Sequence, residues 1–194
     1  DQSDLSTTTF AYTNLESKIV YYWKVYSSSA TNNGSWSDVF SFTSGLNKVA
    51  LASPSNNTQG LELNNVTLSW NALSGASTYK LIVSKNADLS SPIYNMTGLN
   101  TLSQVIGSLE YNQNYYWAVY GQDGFGDGPK SDVWTFGTKV DMPTLVAPAN
   151  NEIDVALTGT FTWNAAAGAT EYQVQASEAN DFSTANISDR DNFS

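Results

Sequence analysis

The sequence predicts an all-β protein of tandem antiparallel sandwiches, each with about seven short strands. Three observations predict it. The chain repeats itself with a period near 94 residues. Apolar and polar residues alternate over short runs, and turn-forming clusters separate the runs. No segment keeps a 3.6-residue apolar period long enough for a surface helix.

The repeat comes first, because it sets the boundaries. "SDVFSF" at 37–42 returns as "SDVWTF" at 131–136, an offset of 94. Leu15, Glu16, Tyr21, Tyr22, Trp23, Val25 and Tyr26 return as Leu109, Glu110, Tyr115, Tyr116, Trp117, Val119 and Tyr120. "SWNALSGASTYKL" at 69–81 matches "TWNAAAGATEYQV" at 162–174 with an offset of 93. The one-residue change falls where "SPSNNTQG" faces "APANNEID", in a polar turn. Residues 46–138 then make a complete module, 1–43 the C-terminal half of one, and 143–194 the N-terminal half of another. Asp1 aligns with Asn95 and Ser194 with Thr101, so the two halves add up to about one module. Half a sandwich leaves an apolar face and open edges wet. Two accounts stand open: a window on a longer array, or a head-to-tail exchange of halves between like chains that can grow a filament.

The strands follow in order. Tyr21, Trp23 and Val25 share one parity in the first fragment. Val66, Leu68 and Trp70 alternate with polar residues, as do Phe161 and Trp163. Tyr79, Leu81 and Val83 alternate with Lys80, Ile82 and Ser84; their counterparts are Tyr172, Val174 and Ala176. "NALSGAS", "SKNADLSSP" and "GQDGFGDGPKSD" are the turns between. In "YYWAVY", Tyr115, Trp117 and Val119 share one parity and Tyr116, Ala118 and Tyr120 the other. The copy decides which set is inside, because its second set is Tyr22, Lys24 and Tyr26. A lysine does not sit unpaired in a small core. Trp117 and Trp23 are therefore expected inside, and Tyr116 and Tyr120 outside, beside Ile82.

In this order the strands resemble fibronectin type III, an Ig-like sandwich, in the form common in secreted bacterial proteins. The likeness covers essentially the whole chain. It rests on the strand-B tryptophans Trp70 and Trp163, and on a leucine six residues before a strand-F tyrosine, Leu109/Tyr115 and Leu15/Tyr21. The resemblance implies a tyrosine corner, in which the phenol bonds back to backbone. The absence of cysteine fits this family better than a disulfide-type immunoglobulin domain. Trp117 and Trp23 depart from the aliphatic residue many members carry, which implies a bulkier core. Trp70, Trp163, Trp23, Trp117, Leu15, Tyr21, Leu109 and Tyr115 are the expected structural core.

Composition narrows the function. A formal charge of −10 repels phosphate backbones, so nucleic acid is not an expected partner. With no His and no Cys, His- or Cys-dependent nucleophilic devices and zinc sites of the usual ligands are excluded. No apolar run approaches the length of about 20 residues that a membrane helix needs. No cofactor is expected. Tyr116, Tyr120 and Ile82 are the candidate ligand face, since exposed tyrosines stack on sugar rings or proteins. Asp123 and Asp127, in a Gly-rich loop, are weak candidates for a hard cation, although their spacing is not that of an EF-hand. Asp88 and Asp181 read as turn formers, and Glu16 and Glu110 as a repeated carboxylate without a cleft. Trp36 has no counterpart in the next repeat and reads as local packing. Asn-x-Ser/Thr occurs at Asn33, Asn56, Asn65, Asn95, Asn186 and Asn192.

The expected role is a non-catalytic stalk or filament scaffold of an extracellular or cell-surface protein, bacterial by its look. Its partners would be neighbouring modules or like chains, and surface glycans. The alternatives are a spacer in a secreted hydrolase acting on polysaccharide or protein, and a weak carbohydrate-binding module. The short linkers "SGLNKVA" at 44–50 and "GTKVDMP" at 137–143 favour an extended string of modules.

Overall fold

The computed structural model describes residues 5–182 and 185–189, where the described elements are strands and turns with no helix. The Asp1 and Ser194 alignments and the Asn192 sequon fall outside these residues. The first fragment forms β1 (Val20–Trp23), β2 (Tyr26–Ser28), β3 (Asn33–Trp36) and β4 (Phe40–Thr43). Next come β5 (Leu51–Ser53), β6 (Thr58–Leu61), β7 (Val66–Trp70), β8 (Thr78–Ser84) and β9 (Tyr94–Leu99). They are followed by β10 (Ser103–Ile106), β11 (Asn114–Asp123), β12 (Gly126–Lys130) and β13 (Trp134–Thr138). The last are β14 (Thr144–Ala147), β15 (Thr162–Asn164), β16 (Val174–Ser177) and β17 (Ala185–Asp189).

Between residues 46 and 138 the strands make two sheets. One runs β10-β7-β5; the other runs β6-β13-β11-β8-β9, with β12 also paired to β11. These nine segments are seven strands, because the first and the last are each interrupted. The first changes sheets at Pro54: β5 pairs antiparallel with β7, whereas β6 pairs parallel with β13. A proline there suits the break, since it cannot donate to a ladder. The last strand breaks at Ser131, whose hydroxyl accepts a hydrogen bond from Val119 N at 3.0 Å. At this second break the serine hydroxyl supplies a bond that the ladder omits.

The chain divides into two compact units. The first comprises Asp1–Ser53, Leu68–Gln104 and Tyr116–Trp134; the second comprises Pro54–Thr67, Val105–Tyr115 and Thr135–Ser194. In the first unit, alternation in β7 and β8 sends Leu68, Trp70, Tyr79, Leu81 and Val83 inward, all buried. Trp70 and Tyr79, on opposite sheets, hold their rings 5.7 Å apart. Trp117 is fully buried and meets Trp134 edge-on, at 6.1 Å and 90°. The indole N–H groups of Trp70 and Trp117 have no hydrogen-bond partner. Each such orphan costs about 1–3 kcal/mol. Burying a ring of roughly 150–250 Å² outweighs that at about 25 cal/mol per Å².

In the second unit, Tyr115 is buried and stacks on Phe136 at 5.5 Å. Its hydroxyl accepts from Glu110 N at 2.9 Å, closing a tyrosine corner, and Leu109 beside it is buried. Thr138 Oγ1 ties the corner down: it donates to Glu110 O at 2.6 Å and accepts from Gln113 N at 2.9 Å. The same set recurs in the first unit, where Tyr21 Oη accepts from Glu16 N at 2.9 Å. There Ser44 stands for Thr138, donating to Glu16 O at 2.5 Å and accepting from Ile19 N at 3.0 Å.

The core expectation needs correcting at the two fragments. Trp23 is 51% exposed although its parity matches that of Trp117. Leu15, Tyr21 and Trp163 are only half-buried. The physical reason is common to them. Parity chooses the side of a sheet on which a residue stands, but burial needs a second sheet over that side. Among the described residues strands β1 and β4 pair only with each other, as do β14 and β15. Among the described residues Trp23 is left with the edge of Phe40, 5.8 Å away.

Candidate functional site

The outer face of the β9-β8-β11 sheet carries the aromatic candidates. Register pairs Tyr116 with Ser84, Ala118 with Ile82 and Tyr120 with Lys80. Ile82 therefore stands opposite Ala118 and diagonally between Tyr116 and Tyr120, within reach of both for side chains of that length. All three are partly exposed, while Ala118 beneath them is fully covered. The result is a shallow apolar ridge.

At one end the ridge passes into a polar network. Lys80 Nζ lies 5.3 Å from the Tyr120 ring centroid and 2.8 Å from Asp127 Oδ2. Gln122 Nε2 donates to Asp127 Oδ1 at 2.7 Å. Its other atom, Oε1, accepts from Thr97 Oγ1 at 3.1 Å and Gly98 N at 3.0 Å. Lys80 first, and Gln122 second, hold the Asp127 carboxyl below the usual aspartate range.

Asp123 and Asp127 are each engaged by a lysine. Asp123 pairs with Lys18 and accepts from Phe125 N at 2.7 Å, and these two bonds, that of Lys18 foremost, lower its pKa. Each carboxylate already holds an ammonium. Among the described residues no acidic group of metal-binding size exists. Asp88 accepts from Ser90 N at 2.9 Å as a turn former does. Glu16 and Glu110 sit at the two tyrosine corners, where their main-chain N–H groups carry the contact. Trp36 is 57% exposed, packs on Tyr26 at 5.2 Å and receives Lys24 Nζ at 4.4 Å from its centroid. It serves as local packing on a pair, Tyr26↔Trp36, equivalent to Tyr120↔Lys130.

Two residues with no motif around them stand at the junctions. Lys18 and Asn112 occupy corresponding positions 94 residues apart and both take left-handed φ, 60° and 47°. Each lies against a turn glycine of the following segment, Gly75 and Gly168. The only sequence signal was the return of "SGAS" as "AGAT" at the same phase.

Sheet order, strand-B tryptophan and tyrosine corner together decide the architecture. The fold is fibronectin type III-like. No family model matches the chain, and no curated protein does. Among solved structures it is similar to the chicken CNTN1 FN1-FN3 domains, at 18% identity and a TM-score of 0.39. That match covers 64% of this chain and 44% of the other, so the chain spans less than half of that relative. An Fn3-like protein from Clostridium thermocellum is 20% identical over 47% of this chain and 85% of its own, with a TM-score of 0.34. Domains d3-d4 of the rat CD45 extracellular region are 16% identical over 71% and 74%, with a TM-score of 0.39.

Proposed function

We propose that the chain is a non-catalytic structural segment, a spacer or stalk, of an extracellular or cell-surface protein of bacterial type. The observation that supports this best is the recurrence of one bonding set at one phase of the period: Tyr21 and Tyr115 at the corners, Ser44 and Thr138 beneath them. What repeats is scaffold, and residues with chemical potential are absorbed into it. Asp123 and Asp127 are each engaged by a lysine. The same role serves an adhesive filament or a spacer in a secreted hydrolase. The test is removal of residues 46–138 from the full-length protein. A spacer loses reach, seen as a shorter stalk by electron microscopy, and keeps the binding or catalysis of the other domains. Loss of that activity at unchanged reach would sink the proposal.

The partly exposed ridge of Tyr116, Ile82 and Tyr120 favours a second reading, a weak carbohydrate-binding face. Its measure is retention in polysaccharide gels. Tyr116→Ala with Tyr120→Ala should abolish any retention, and unchanged retention removes the idea.

A further inference from the structure

The two junctions share a contact between a corner residue and a turn glycine of the following segment. In the first unit Lys18 N donates to Gly45 O at 3.3 Å, which presses the corner loop onto the linker. The turn of the following segment then arrives at Gly75, which has φ +84°. A Cβ placed there would overlap Lys18 Cγ and approach Leu46 Cδ2 at 3.4 Å. Leu46 in the linker is 7% exposed, and Lys18 Nζ continues past it to Asp123.

The second unit repeats the arrangement with other side chains. Asn112 N donates to Lys139 O at 2.8 Å, the bond equivalent to Lys18 N–Gly45 O. Gly168, φ +80°, brings its α-carbon so close to Asn112 that a Cβ would overlap Asn112 Cβ. Asn112 Nδ2 donates to Gly168 O at 3.0 Å, and Asp141 N donates to Ala167 O at 3.0 Å. Left-handed φ at 18 and 112 turns those side chains toward the incoming loop, and at 75 and 168 such φ favours glycine.

We propose that this pairing is a module-to-module lock: the corner residue at 18 or 112 is a seat, and the glycine turn of the next module is its partner. Each junction holds one orientation because the seat fills the space that any side chain at 75 or 168 would need. The inference rests on the spacer reading and deepens it from a flexible tether to a jointed, stiff one. The seat accepts either a lysine that reaches an acidic loop or an amide that reaches the turn carbonyl. The first junction has in addition an apolar plug, Leu46, where the second has Val140, 44% exposed.

A chain without cysteine allows a clean test. Spin labels at Ser29→Cys and Ala87→Cys, both exposed positions, report the first junction by pulsed electron resonance. The unmodified junction should give one narrow distance peak. Gly75→Ala adds the forbidden Cβ and should replace the peak with a broad distribution. Lys18→Glu places a like charge against Asp123 and should do the same without touching the glycine. Lys18→Asn copies the second junction and should keep the peak narrow. A broad distribution in the unmodified chain overturns the lock while leaving a flexible spacer standing, as does a narrow peak that survives both Gly75→Ala and Lys18→Glu. Failure of the spacer reading would show instead in the stalk-length experiment.

Discussion

Tyr115→Phe and Tyr21→Phe remove the same atom from the same hydrogen bond, and the structure predicts different costs. Both hydroxyls accept from a main-chain N–H five residues earlier at 2.9 Å. Tyr115 is 1% exposed, however, and Glu110 N is partly buried with it, whereas the Tyr21 bond is exposed to water. Deleting the buried hydroxyl leaves a partly buried N–H that water reaches poorly, a loss of about 1–3 kcal/mol. Deleting the exposed one exchanges a phenol for a water molecule, and the loss should stay within about 0.5 kcal/mol. For a module of this size, 1 kcal/mol corresponds to roughly 4–8 °C in Tm. Urea and thermal unfolding of the chain, followed on its main cooperative transition, should therefore show a clear downward shift for Tyr115→Phe and almost none for Tyr21→Phe. Equal shifts would refute the claim that burial, not geometry, sets the worth of the corner.

Thr138→Val keeps the shape of a buried side chain and strands both Gln113 N and Glu110 O, so it should cost about 1–3 kcal/mol in the same assay. Trp117→Ala should cost about 3–5 kcal/mol, because the ring is fully buried. Trp23→Ala, at a site 51% exposed, should cost about 1 kcal/mol or less. Asp123 and Asp127 have folded-state pKa values lowered chiefly by Lys18 and Lys80. Their contribution to stability is thus present above the ordinary carboxylate range near 4 and is lost as pH falls through the lowered values. Carboxyl titration by NMR should show both midpoints below ordinary aspartate, and Lys80→Met should raise that of Asp127.

The sheet faces were legible because of one residue. Lys24, just past β1, marked the outward parity of its run, and through the repeat it assigned Tyr116 and Tyr120 to the outside and Trp117 to the inside, where the structure has them. The same logic put Trp23 inside and missed, since a parity rule carries no information about whether an opposing sheet is present. The network around Asp127 was not legible at all. It joins Lys80, Gln122 and Thr97, which become neighbours only once β8, β9 and β11 settle into register. The acidic loop therefore looked like a possible cation site, although its counter-ions are Lys18 in a distant turn and Lys80 on β8. The junction residues were hidden for another reason: left-handed backbone at Lys18 has no mark in the sequence, and only at Asn112 does the side chain suit that conformation.

Across the two repeats, the atoms that recur and the atoms that vary divide by role. Hydroxyls recur at two places in each repeat: Ser44 and Thr138 at the corner, Ser37 and Ser131 where the last strand is interrupted. Val25 N donates to Ser37 Oγ at 3.0 Å just as Val119 N donates to Ser131 Oγ at 3.0 Å. A small hydroxyl both donates and accepts, so one residue satisfies two main-chain groups that the interrupted ladder leaves open. The side chains facing the neighbour vary, lysine at 18 and asparagine at 112, while the glycine opposite them stays. A part that must be copied end to end needs its internal bonds and its point of closest approach held constant. It can let the surrounding side chains change, provided each new pair still closes the gap. That division of what is kept and what drifts fits the proposed spacer role, in which the same contact must close at successive junctions.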